Sequence, residues 1–240
     1  MTEPMDSKVK DLLEKATTLR NNAQDARRRA RKETAPDERS RLFDDAALGF
    51  QQAIADLERG LRTARRQQDG YNINVCGILE ALSQSYGSLG GTWRDAGDLE
   101  KAQSFYDTGN EYEGERRINC GAKDTYNMLQ RLIIRALRQP ALVNDPTFLI
   151  EIDEVRAEIK RQNRTDSWAL ADLALAQFLR GISADQVIAD LKRGDAAATF
   201  YESTYNAVTA LIAEGLGRDG ALGDQLESFR RLLQRKGGLP

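Results

Sequence analysis

Apolar residues recur with a helical period along nearly the whole chain. Val9, Leu12, Leu13, Ala16, Leu19, Ala23, Ala26 and Ala30 predict a helix over 6–33. After a break at Thr34–Asp37, with Pro36 suited to a first turn, Leu42, Phe43, Ala46, Ala47, Phe50, Ala53, Ile54, Leu57 and Leu61 predict a second helix running to about Gln68. Asp69-Gly70 stops it. A third helix starts near Asn72 and carries Leu82, Tyr86, Leu89 and Trp93 on one face. Ala96-Gly97-Asp98 forms a turn, with Asp98 capping a fourth helix that presents Ala102, Tyr106 and Gly109.

Further helices are expected over 123–138, closed by Gln139-Pro140, and from Asp145-Pro146, with Phe148, Ile152, Val155 and Ile159 as the core face. The apolar stretch 165–180 ends at Gly181, and a capping box at Ser183–Gln186 opens a short helix that ends at Gly194. Helices over 196–213 and 220–235 complete the series, leaving 236–240 as a flexible tail. No run alternates with period two over strand length. The expected fold class is all-α, with about ten helices in one continuous domain over 1–240.

The stretch Ser83–Arg116 resembles one tetratricopeptide (TPR) repeat. Tyr86, Leu89, Gly90, Trp93, Ala102, Tyr106 and Gly109 occupy its signature places. Residues 37–70 and 165–198 resemble degenerate repeats. The resemblance implies a right-handed superhelix of antiparallel helical hairpins, whose first helices line a concave groove for a protein or peptide. Gly90 has a physical reading of its own. A helix glycine costs about 1 kcal/mol against alanine, so close approach of the helix carrying Ala102 and Tyr106 is expected there.

Composition narrows the chemistry. The chain has 240 residues, no histidine, two cysteines and a net charge of −2. Without histidine there is no Ser-His-Asp or Cys-His system and no histidine-ligated metal site. No phosphate-binding glycine loop or nucleophile elbow is present. A non-enzymatic protein without metal or cofactor is expected. Cys76 and Cys120 fit no zinc or redox spacing, and Cys76 reads as a small core residue. A cytoplasmic location is expected, since no signal-peptide core or membrane-length apolar run is present, and with it no disulfide. Trp168 and the pair Tyr201 and Tyr205 read as packing residues.

Two sets of polar residues are candidates for binding. In the TPR-like repeat, Gln84, Gly87, Gly91, Arg94 and Asp95 hold the places that face the groove in that family. The two glycines either open the backbone to a peptide or relieve packing. On the next helix, Asp124, Asn127, Arg131 and Arg135 form one polar stripe opposite Tyr126, Leu129, Leu132, Ile133, Ala136 and Leu137. Arginine forks there suit a carboxylate, and asparagine suits a peptide main chain. The bland alternative is a solvated helix face with Asp124 as its cap.

Arg27-Arg28-Arg29-Ala30-Arg31-Lys32 is the densest basic run. It carries the alternative function, a nucleic-acid-binding regulator. No aromatics for base stacking lie nearby and basic residues suit a helix C-terminus, so nucleic acid is not the expected partner. The acidic Glu111, Glu113 and Glu115 offer a second destination for these arginines, between subunits of a homo-oligomer. Incomplete terminal repeats also leave an apolar end open to self-association.

A looser resemblance covers about 83–213. DTYNMLQRLIIRAL, DSWALADLALAQFLRG and ATFYESTYNAVTALI are similar to the TPR-like TRAF-binding region of apoptosis signal-regulating kinases and its bacterial relatives. It implies a scaffold or sensor acting through protein partners in a signalling or defence system. No kinase or effector segment accompanies it on this chain.

Overall fold

The structure is a computed structural model that describes residues 6–67, 72–122, 124–162, 166–193, 196–216 and 220–239. It contains ten α-helices and no strand among those residues. The chain divides into two compact units, 1–131 and 132–240.

The first unit holds α1 (Ser7–Lys32), α2 (Pro36–Gln67), α3 (Ile73–Ala96), α4 (Leu99–Cys120) and the start of α5 (Tyr126–Arg138). α1 packs along α2, α3 packs along α4, and α3 also lies against α1 and α2. The alanines of α1 let it sit close: Ala16 and Ala23 are buried against a core of Phe50, Leu57, Leu61, Ile78, Leu79, Leu82 and Leu89. Gly90 behaves as its cost predicts. A side-chain carbon there would meet three ring carbons of Tyr106 at 3.1 Å.

Local chemistry sets the helix ends. Asp6, Asn72 and Asp98 cap α1, α3 and α4 through side-chain oxygens. Gly97 takes φ +89° where α3 stops. Asp98 accepts from the Lys101 amide at 3.0 Å, and that backbone hydrogen bond holds its carboxyl below the usual range. Asp98→Ala is expected to cost about 1 kcal/mol, read as a lower urea midpoint with unchanged slope.

The second unit holds the rest of α5, a 3-10 turn at Pro140–Asn144, α6 (Pro146–Arg161), α7 (Ser167–Leu179), α8 (Asp185–Arg193), α9 (Ala198–Ala213) and α10 (Ala221–Gly237). α7 packs on α6 and α8, and α9 packs on α10. Phe148, Ile152, Val155, Phe178 and Phe229 are buried, the last two with ring centroids 5.8 Å apart. Asp145 caps α6, with Pro146 in its first turn. Ser183 receives the Asp185 amide as a cap would, but Gln186 turns to Asp190, and Gln225 of α10 supplies the second contact by accepting from the Ala184 amide.

Some expectations change. Lys236 and Gly237 belong to α10, so its last turn reaches into the stretch read as a tail. Trp168 is 39% exposed and rests edge-on against Phe200 rather than filling the core. It is only the second residue of α7, where the helix has barely entered the packed layer. The cysteines are joined as a disulfide, with Cα atoms 5.8 Å apart. An antiparallel hairpin sets the start of α3 beside the end of α4, so residues 44 apart in sequence meet. The proposed stops at Asp69-Gly70 and Gly194 lie outside the described residues.

Candidate functional site

Gly87 and Gly91 of α3 face the protein's own side chains. A Cβ on Gly91 would lie 2.6–3.0 Å from the Arg27 guanidinium. A Cβ on Gly87 would lie 2.7 Å from Asn127 Oδ1 and 3.0 Å from the Tyr126 ring. Gly109 of α4 faces the same asparagine, with Oδ1 at 2.7 Å and Cγ at 2.8 Å from its would-be Cβ. α1 therefore plugs one side of α3, and α5 plugs the notch between α3 and α4.

Each plug carries a polar network. Arg27 donates from Nε to Asp95 Oδ2 at 2.7 Å and from Nη1 to the Ser88 carbonyl at 3.5 Å. Arg31 donates to the same carboxylate oxygen at 2.7 Å. Arg94 reaches Asp95 Oδ1 at 3.3 Å and Gln130 Oε1 at 3.0 Å. The side chains of Arg27, Arg94 and Asp95 are only 5%, 4% and 8% exposed. Burial alone would raise the Asp95 carboxyl, but the guanidiniums of Arg27, Arg94 and Arg31 overcome it and hold the group well below the usual carboxylate range.

The second plug is built on Asn127, which is 1% exposed. Its Nδ2 donates to the Ser83 carbonyl, Ser83 Oγ and Glu113 Oε2 at 3.1–3.2 Å. Its backbone amide donates to Glu113 Oε2 at 2.9 Å, and the Met128 amide lies 3.5 Å from Oε1. A carboxylate on α4 thus caps the first turn of α5. Arg117 completes the set by donating from Nη1 to Glu113 Oε1 and to the Asp124 carbonyl, both at 2.9 Å. Burial pushes the Glu113 carboxyl above its ordinary value, against the opposing pull of the Asn127 amide and Arg117.

The sequence-predicted residues thus have different fates. Gly87, Gly91, Arg94 and Asn127 are buried. Asp124 is half-buried in an ion pair with Arg116, which also holds Glu80 at 2.8 Å. Arg131 is half-buried. Arg135, in the second unit, pairs with Glu151 at 2.7 Å and stacks over Phe148 at 5.3 Å. Gln84 alone among the eight is exposed. Its Oε1 accepts from Arg20 Nη2 of α1 at 2.8 Å, and its Nε2 donates to Glu80 at 3.2 Å. The basic run is partly consumed as well: Arg27 and Arg31 go to Asp95, and Arg28 pairs with Asp25. Of the acidic residues set against it, Glu113 pairs with Arg117 and Glu115 with Arg65.

Arg27 and Glu113 enter the sequence reading only as surface charges for other molecules, yet both carry a signal for burial. Arg27 falls on the stripe of Ala16, Ala23 and Ala30, and Glu113 on that of Ala102, Tyr106 and Gly109. A charge on an apolar stripe is a buried charge in search of a partner.

An open cavity of about 430 Å³ lies in the first unit, among Val9, Leu12, Lys15, Asp56, Arg59 and Asn74. Asp56 receives Lys15 at 2.6 Å and Arg59 at 3.7 Å, and Asn74 accepts the Asp6 amide, so its polar groups engage one another. No helix among the described residues is long and apolar enough to cross a membrane. No family model, no curated protein and no solved structure matches this chain significantly.

Proposed function

We propose that the chain is a non-catalytic, TPR-like protein-binding module. The carrying observation is that α1 and α3, the first helices of two successive hairpins, lie side by side and bridge through the polar triad Arg20, Glu80 and Gln84. In a hairpin array this is the concave side, and an extended peptide laid there meets donors and acceptors for its main chain. The buried ionisable groups Arg27, Arg94, Asp95 and Glu113 are committed to one another or to neighbouring polar groups, which supports structural rather than catalytic duty for them. With Gly87 and Gly91 plugged, the binding face is narrower than the sequence implied and centres on Gln84 instead of Asn127.

The test begins with affinity capture on the immobilised chain and identification of a partner by mass spectrometry. Arg20→Ala combined with Gln84→Ala is then expected to weaken that partner's Kd at least about tenfold, roughly 1.4 kcal/mol, with an unchanged thermal midpoint. A Kd within twofold of wild type contradicts the assignment of this face.

A further inference from the structure

Cys76 lies in the first turn of α3, and Cys120 is the last residue of α4. Their Cα separation of 5.8 Å suits a disulfide without backbone movement. Both residues are half-buried, and Cys120 packs at the margin of the first unit's core.

The staple sits where α4 hands over to α5. Between Glu113 and Cys120, the last two turns of α4 carry the hydrogen bonds and ion pairs just described between α4 and the segment that opens α5. Glu113 caps Asn127 and Met128, Arg116 holds Asp124, and Arg117 holds the Asp124 carbonyl. Cys120 anchors the free end of that segment to α3. Gly121 follows with φ +66°, and the helix ends there.

We propose that Cys76 and Cys120 form a reversible thiol–disulfide lock on the seat of α5. A dithiol reductant opens it. One thiolate attacks a cysteine sulfur to give a mixed disulfide, and the second thiol of the reductant displaces it. Two electrons and two protons pass to the pair, leaving two cysteine thiols on the protein and a disulfide in the reductant. The opened hairpin stays together through its other end, where Leu89, Ala102 and Tyr106 are fully buried. The last turn of α4 loses its tether, and the cap on α5 loosens with it.

Thiol counting and hydrogen exchange on the full chain test this. Protein purified without reductant is expected to show no free thiols, and two after dithiothreitol. Reduction is expected to speed amide exchange over Arg116–Cys120 and Tyr126–Met128 at least about tenfold, with Phe50–Leu57 unchanged. Oxidised glutathione restores slow exchange. Cys120→Ser shows the fast pattern with or without reductant. Two free thiols that glutathione disulfide cannot close overturn the proposal, as does equal exchange in both redox states. Loss of the far-UV helical signal on reduction also overturns it, because the bond is then a staple for the whole fold instead of a local lock.

Discussion

Asp95→Ala is expected to destabilise the protein by about 3–5 kcal/mol, the cost of breaking a buried ion pair from one side. Three guanidiniums converge on this carboxylate, and two of them, Arg27 and Arg94, are almost wholly out of water. Removing the acid leaves Arg27 its hydrogen bond to the Ser88 carbonyl and Arg94 its hydrogen bond to Gln130, neither of which neutralises buried positive charge. Urea unfolding at neutral pH reads the loss directly. Asp95→Asn keeps the shape and should lose much of the same stability, since the missing element is charge.

The pH dependence follows from the direction of the shift. The folded-state pKa of Asp95 is depressed, so the unfolded state binds its proton first as pH falls. The stabilisation is complete above the ordinary aspartate value near ~4 and is lost as pH drops toward the folded value. Wild type should therefore keep its advantage over Asp95→Asn from neutral pH to about pH 5 and lose part of it by about pH 2. An advantage that is flat across that acid range contradicts the electrostatic account.

Gly109→Val is the second large effect. Its Cβ would overlap the Asn127 amide, which is pinned by Ser83 and Glu113 and cannot simply swing away. Overpacking costs about 1–3 kcal/mol, and expelling the amide forfeits a hydrogen bond to a carboxylate worth about 1.5–3 kcal/mol. A total of about 3–6 kcal/mol is expected. Asn127→Ala removes the clashing atoms, so the double variant should be more stable than the sum of the singles by about 1–2 kcal/mol. Strict additivity in thermal or urea unfolding means that the two positions do not meet.

These pairs also mark where sequence reading stops. Helix ends were legible because their causes are local: Asn72, Asp98 and Asp145 cap within three residues, and Pro36 and Pro146 fit only a first turn. The partner of Gly90 was also legible, because Tyr106 sits on the other arm of one short hairpin. What fills Gly87 and Gly91 was not. Arg27 and Asp95 are 68 residues apart, and Ser83 and Asn127 are 44 apart. Their meeting depends on how whole helices register, which no local spacing encodes. The cysteine pair differs: its contact follows from the α3–α4 hairpin, and what argued against the bond was the expected reducing compartment, which is unrelated to geometry. The polar stripe Asp124–Arg135 was read as one face, but its members meet different neighbours along α5. Asn127 enters a notch between two glycines, and Arg135 lies over Phe148.

Several polar residues that resemble a ligand face, Arg94, Asn127 and Arg135 among them, act as mortar between helices. A double-mutant cycle on Arg27 and Asp95 tests that claim most directly. Arg27→Met, Asp95→Ala and the pair would be unfolded in urea at neutral pH. A coupling of at least about 2 kcal/mol is expected, with the double variant less damaged than the two singles together. A coupling below about 0.5 kcal/mol, with either single near wild type, would place these charges in solvent and reopen the Gly91–Arg94 part of α3 to a ligand.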